Sequence, residues 1–241
     1  MPSSPSAPES VGDPLDPGPA GFAHRGVHGA QIPENSLAAA QAALDLDAGI
    51  ECDLRLSRDG VPFVFHDRDA RRLTGDPLVL SQTAAERIAA LRLWGVEEAV
   101  PRLADLLQRV AGRVPLLREV KDERNAARFG AALVAALVGY AGPVGVMSFS
   151  AAMGAWLRRN APHLRRGLVM KGGEARLARW YAMRRVDPHF IAFNVRHLGR
   201  DWVEEVRARI PVYVWTVNSP AARELASEFA DAAVWESDGR P

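Results

Sequence analysis

Cysteine is nearly absent from this 241-residue chain. With Cys52 alone, no disulfide can form within the chain and no zinc site can be built from thiolates. Lysine is almost as scarce. The chain has 30 basic residues, yet only Lys121 and Lys171 are lysines, so arginine carries the surface charge. Excess charge is missing as well, and a net charge of +1 gives no basic stripe for a nucleic acid. No apolar run is long enough to span a membrane, and the start shows neither the basic cluster nor the apolar core of a secretory signal. What is left is an ordinary globular composition, 48% apolar and 24% charged, for which a cytoplasmic setting is the expectation.

The first twenty residues hold six prolines and four serines, and residues 1–19 read as a disordered tail. Beyond them, one domain is expected over 20–241. Short β-rich runs at 20–24, 49–56, 115–121, 144–149, 167–171, 190–195, 211–217 and 232–236 alternate with Ala/Leu/Arg-rich helical stretches. Such alternation predicts an α/β fold with a parallel sheet, and eight strands suit a (β/α)8 TIM barrel. A doubly wound open sheet is the runner-up, weakened because no Gly-rich dinucleotide fingerprint follows the first strand.

One segment breaks the alternation. Strand 49–56 is followed by Ser57-Arg58-Asp59-Gly60 and a second apolar run, Val61 to His66. Asp-Gly between strand-like runs signals a two-residue hairpin loop, which would pair Arg58 with Val61 and Asp53 with His66. Glu51 shares the face of Asp53, while Cys52 points to the opposite face as a small buried residue. On the strand near 116–121, Leu117, Glu119 and Lys121 share a face, with Leu116, Arg118 and Val120 on the other.

Glu51, Asp53 and Glu119 therefore form an oxygen-rich nest without thiolate, suited to Mg²⁺ or Ca²⁺. A cation there would relieve the mutual repulsion of the carboxylates and polarise a phosphoryl oxygen. The competing reading pairs these acids with Arg25, Arg55 or Lys121. His24 and His66, at strand ends, are the natural proton-transfer pair. His28, His163, His189 and His197 lack such company and read as structural or surface residues. Arg25 can fork onto a phosphate. The two lysines, Lys121 and Lys171, both close expected strands, where a compact ammonium could meet the substrate.

In order along the chain, His24-Arg25-Gly26, Pro33-Glu34-Asn35-Ser36, Glu51-Cys52-Asp53-Leu54, Asp59-Gly60, His66-Asp67 and Leu73-Thr74-Gly75 resemble the glycerophosphodiester phosphodiesterase family. Pro101-Arg102-Leu103, Glu119-Val120-Lys121, Ser148-Phe149 and Trp215-Thr216-Val217-Asn218 extend the resemblance over nearly the whole chain after the tail. The resemblance implies a barrel with a small insertion, here about 67–100, after the hairpin. It also implies His24 and His66 as general acid and base, and Glu51, Asp53 and Glu119 as ligands of a divalent metal. Arg25 and Lys121 would be phosphate contacts, and Trp215 would line the pocket. In Pro33-Glu34-Asn35-Ser36, Asn35 or Ser36 is expected to cap the following Ala-rich helix. Two departures stand out: Arg118 replaces an apolar residue, and the ending Trp235-Glu236-Ser237-Asp238-Gly239-Arg240-Pro241 only loosely follows the family's Thr-Asp.

The expected activity is metal-dependent hydrolysis of a small-molecule glycerophosphodiester to sn-glycerol 3-phosphate and an alcohol. A lysophospholipase D-like reaction on the same site is the alternative, with Trp94, Trp156 and Trp180 as candidates for an apolar groove. A non-catalytic phosphate-ligand sensor is the rival class, and its expected mark, loss of a histidine or metal carboxylate, is missing.

Overall fold

Eight of the strand-like runs become strands of one closed sheet. The computed structural model describes residues 13–94, 97–121 and 125–241. Its strands are β1 Phe22–His24, β2 Gly49–Leu56, β3 Pro62–Val64, β4 Leu116–Val120, β5 Val144–Ser148, β6 Arg165–Met170, β7 Phe190–Asn194, β8 Val212–Val217 and β9 Ala232–Trp235. The helices are α1 Leu37–Leu44, α2 Arg71–Thr74, α3 Ala85–Ala89, α4 Leu103–Val110, α5 Ala126–Ala136, α6 Ala151–Asn160, α7 Arg176–Val186, α8 Asp201–Arg207 and α9 Pro220–Phe229. Every strand except β3 pairs in parallel, and β9 returns to β1, so the sheet closes into the expected eight-stranded barrel. β3 is an added antiparallel strand on β2. Among the described residues, no helix is long and apolar enough to cross a membrane.

Strand alternation sorts the side chains into two layers. Ile50, Cys52, Leu54, Leu116 and Val120 point outward into the main core beneath the helices, as expected for Cys52. α4 meets them with Leu103, Leu106, Leu107 and Val110, one apolar face at helical spacing. Ser36 caps α1, its hydroxyl accepting from the Ala39 N–H at 2.9 Å.

Inside the barrel, the end nearest the strand N-termini is filled by Leu15, Phe22, Leu117, Phe190 and Tyr213. Phe190 and Tyr213 stack with ring centroids 4.7 Å apart. Space for this plug comes from missing side chains: a Cβ on Gly145 would lie 2.4 Å from Leu15, and one on Gly167 would lie 2.2 Å from Phe190.

Leu15 corrects the expected tail. Residues 1–12 lie outside the described residues, but 13–19 are anchored to the barrel: Leu15 and Pro17 are buried, and Asp13 pairs with Arg165. The Pro/Ser-rich composition concealed a single leucine whose burial is worth roughly 1.5–3 kcal/mol.

The hairpin also differs, by one residue. Arg55 pairs with Phe63 and Leu54 with Val64, so Asp53 faces Phe65 rather than His66. The loop holds three residues, because the Ser57 N–H donates to the Val61 carbonyl at 2.9 Å. Asp59 serves the loop itself, accepting from the Ser57 hydroxyl at 2.7 Å and the Ala85 N–H at 2.9 Å. Gly60 then closes the turn with φ of +92°. The segment after the hairpin contains α2 and α3 and builds a small core of its own around Phe63, Phe65, Leu80 and Ile88.

Candidate active site

The polar residues converge at the opposite end, where the strands have their C-termini. β1 stops at His24, level with Glu51 on β2, while Asp53 lies beside Glu119 on β4. β3 approaches from the other direction, with the Phe65 N–H donating to the Asp53 carbonyl at 2.9 Å. His66 thus reaches the site along β2 beyond the end of the short β1, and no cross-strand pairing with Asp53 is needed. Arg55 fixes the result. Its guanidinium donates to the His66 carbonyl at 2.9 and 2.8 Å and to the Lys121 carbonyl at 3.2 Å.

Glu51, Asp53 and Glu119 are all buried and offer oxygens that lie within 4.8 Å of one another. Asp53 is the best partnered. Lys121 Nζ and Arg25 Nε each lie 3.1 Å from it, and the Asn35 side-chain amide donates to it at 3.0 Å. Burial alone would raise its pKa, but Lys121 and Arg25 outweigh burial and hold it at about 2. Glu119 pairs with Lys121 at 2.7 Å, yet burial pushes it up to about 7. Glu51 is raised well above the usual carboxylate range by burial, then by Asp53 and Glu119. Its Oε1 is buried and has no hydrogen-bond partner among the described residues. Lys121 and Arg25 therefore do pair with the acids, as the competing reading held, but they leave the nest short of positive charge. An all-oxygen set with an orphaned buried oxygen fits a hard divalent cation.

Each histidine leans on a carboxylate. His24 Nδ1 lies 2.6 Å from Glu236 Oε2, and His66 Nδ1 lies 2.7 Å from Asp67 Oδ1. A carboxylate can only accept, so both rings carry hydrogen on Nδ1 and turn Nε2 away from it. His24 Nε2 looks toward Glu51 Oε2 at 4.0 Å. Burial lowers the pKa of His66, against the opposing pull of Asp53 and Asp67. A chain of ion pairs supports this side: Asp67 accepts from Arg72 at 2.6 Å, and Arg72 and Arg25 both bind Glu34. Arg25 has φ of +57°, and its backbone N–H donates to Glu51 at 3.2 Å.

Around these groups is a cavity of about 250 Å³, lined by His24, Arg25, Glu51, His66, Glu119 and Lys121 and walled by Phe149 and Trp215. The two aromatic rings meet edge to face with centroids 5.9 Å apart. Asp53 lies beneath, in contact with its cations.

Lys171 is not brought in. β6 ends at Met170, the Lys171 N–H turns onto the Glu174 carboxylate at 2.5 Å, and the side chain is exposed. The three candidate groove tryptophans are elsewhere too: Trp94 and Trp180 are exposed, and Trp156 packs on Gly130 of α5. Arg118 faces the helix layer, as alternation requires. It is fully buried there, its three guanidinium nitrogens have no hydrogen-bond partner among the described residues, and burial lowers its pKa to about 10.

Sequence reasoning missed Asn35, Glu34, Asp67, Arg72 and Glu236 as members of the site. Asn35, Asp67 and Glu34 stand inside quoted motifs. Arg55, named from the sequence among the candidate partners of the acids, has their strand parity and donates to the His66 and Lys121 carbonyls. Glu236 follows β9, and the Ala23–Trp235 pairing of β1 with β9 sets it beside His24.

Known proteins share this fold. The phosphodiesterase of Oleispira antarctica, solved with the product sn-glycerol-3-phosphate, superposes with a TM-score of 0.80 over 89% of this chain and 91% of that one, at 23% identity. A glycerophosphodiester phosphodiesterase of Agrobacterium tumefaciens str. C58 gives a TM-score of 0.68 at 25% identity, covering 91% and 96%. Mouse glycerophosphodiester phosphodiesterase domain-containing protein 4 is 42% identical over 71 residues, 29% of this chain and 11% of that protein. The chain spans well under half the length of such curated relatives, from 11% to 38% in three of them. Residues 24–235 match the glycerophosphoryl diester phosphodiesterase family, a stretch that begins at His24 and takes in both histidines and all three buried acids. The chain belongs to that family of phosphodiesterases.

Proposed function

We propose that the protein hydrolyses glycerophosphodiesters to sn-glycerol 3-phosphate and an alcohol. The observation that carries this reading is a pair of histidines, each held at Nδ1 by its own carboxylate, on the wall of a small cavity containing buried acids and Lys121. With Nδ1 committed, Nε2 is the working atom of each ring. The neutral ring accepts the nucleophile's proton there, and the protonated ring delivers one to the leaving alkoxide.

Glu51, Asp53 and Glu119 would hold a divalent cation, Mg²⁺ or Ca²⁺. When bound, it supplies positive charge for the phosphoryl oxygens. Lys121 and Arg25 sit within reach of the same place, and Lys121 stays protonated because Asp53 and Glu119 outweigh the effect of burial. Trp215 and Phe149 keep one wall dry. At about 250 Å³, the cavity is below the ~300–1,000 Å³ of drug-sized pockets, which suits a glycerophosphate head.

The test is release of glycerol 3-phosphate from glycerophosphocholine and glycerophosphoethanolamine, with Mg²⁺, Ca²⁺, Mn²⁺ or a chelator. Release that needs a metal and vanishes in Glu119→Ala is expected. Absence of release with every metal would overturn the reading. Phosphorus NMR during turnover separates direct attack by water from attack by the neighbouring glycerol hydroxyl, because only the latter passes through a cyclic phosphate.

A further inference from the structure

His24 has a second side, turned away from the buried acids. Its Nδ1 lies 2.6 Å from Glu236 Oε2, and His28 Nε2 lies 3.7 Å from that same oxygen. All three ligand atoms fall within 4.8 Å of one another. The backbone makes this meeting. β1 and β9 are paired neighbours, so Glu236 leaves β9 beside the end of β1. Past His24 the chain turns at Arg25 and Gly26, both with positive φ, and the Val27 N–H is tied to the Ala39 carbonyl at 3.0 Å. That turn brings the rings of His24 and His28 to a centroid separation of 6.5 Å.

A histidine held by a carboxylate needs only His24 and Glu236. The remainder is His28, whose Nε2 is buried and has no hydrogen-bond partner among the described residues, although it lies near the same carboxylate oxygen. Two imidazole nitrogens and one carboxylate oxygen are a donor set for Zn²⁺ and related transition metals, as three carboxylates are for Mg²⁺ and Ca²⁺. The two clusters differ in donor chemistry and share no ligand.

We propose that His24 Nδ1, His28 Nε2 and Glu236 form a second metal site, for Zn²⁺ or a similar transition metal, whose occupancy stops hydrolysis. Coordination takes the Nδ1 lone pair, so the ring proton moves to Nε2. The ring can then accept no proton at Nε2, and giving up the one it holds would leave a metal-bound imidazolate. His24 is removed from proton transfer whether it serves as base or as acid.

The experiment uses the full chain, stripped with chelator and then saturated with Mg²⁺ so that the carboxylate nest is occupied. Zn²⁺ binding is followed by calorimetry, and Co²⁺ binding by its visible absorption. A single equivalent is expected to bind, with affinity weakened at least about tenfold in His28→Ala and in His28→Gln. In the activity arm, which rests on the hydrolase reading above, Zn²⁺ inhibits the parent. Both His28 variants retain the Zn²⁺-free rate and need at least about tenfold more Zn²⁺ for the same inhibition. No Zn²⁺ binding in the presence of Mg²⁺, or binding equal in parent and variants, would overturn the proposal. Equal inhibition of parent and variants would overturn the switch. The binding arm needs no substrate, so its failure is distinct from failure of the hydrolase reading.

Discussion

The two ends of the barrel lumen solve opposite problems with the same strands. At the N-terminal end, Leu15, Phe22, Phe190 and Tyr213 fill the space, and glycines on neighbouring strands make room for them. At the C-terminal end, the same inward parity delivers Glu51, Asp53, Glu119 and Lys121, buried groups that are mutually strained. One end contributes stability and does no chemistry. The other gives up stability to hold charge, which the proposed hydrolysis would use to meet a phosphate.

Changes at each end should therefore separate activity from stability. The largest expected effect is at the charged end. His24→Ala should lower kcat by roughly 10²–10⁴-fold, the usual share of a general acid or base, with little change in unfolding temperature. Leu15→Ala should do the reverse. Chemical denaturation should show a loss of about 2–5 kcal/mol, while kcat in the folded protein stays the same. A fall in kcat for Leu15→Ala at temperatures well below unfolding would mean that the two ends are mechanically coupled.

Arg118 tests the rule from outside the lumen. It sits between the layers with no hydrogen-bond partner for its guanidinium among the described residues, so Arg118→Leu should stabilise the protein by roughly 1–4 kcal/mol and leave activity unchanged. The smallest effect concerns pH. Without a cation, Glu119 has a pKa of about 7, so protons compete with the metal below that value. Apparent Mg²⁺ affinity should fall by up to about tenfold per pH unit on acidification below pH 7, as read by calorimetry.

Much of this arrangement was legible in the sequence because it depends on local parity. Strand alternation alone put Glu51 and Asp53 on one face, Cys52 on the other, and Arg118 opposite Glu119. The hairpin shows where such reasoning stops. Asp59-Gly60 announced a turn, but its length depended on Asp59 bonding to Ser57 and to Ala85, twenty-six residues away. His66 still reached the site, by a route the assumed register did not describe. Lys171 shares with Lys121 only its position after a strand, and a local turn onto Glu174 carries it to the surface. Leu15 and Glu236 escaped notice because their roles exist only once the barrel closes and joins β9 to β1.

The comparison of the two ends rests on the claim that the acidic end waits for a cation. Both Glu51 and Glu119 titrate above their usual range, so metal-free protein gains stability from their protonation at low pH. That contribution is lost as pH rises, through about 7 for Glu119. The direct measurement is the unfolding temperature from pH 5 to pH 8, with chelator and with Mg²⁺ or Ca²⁺, for the parent and for the double variant Glu51→Gln/Glu119→Gln. In chelator the parent should lose stability with rising pH relative to the double variant, which keeps only the opposite, stabilising trend of its half-buried histidines; metal should restore the parent and leave the double variant unchanged. A parent that ignores both pH and divalent cations would contradict the account.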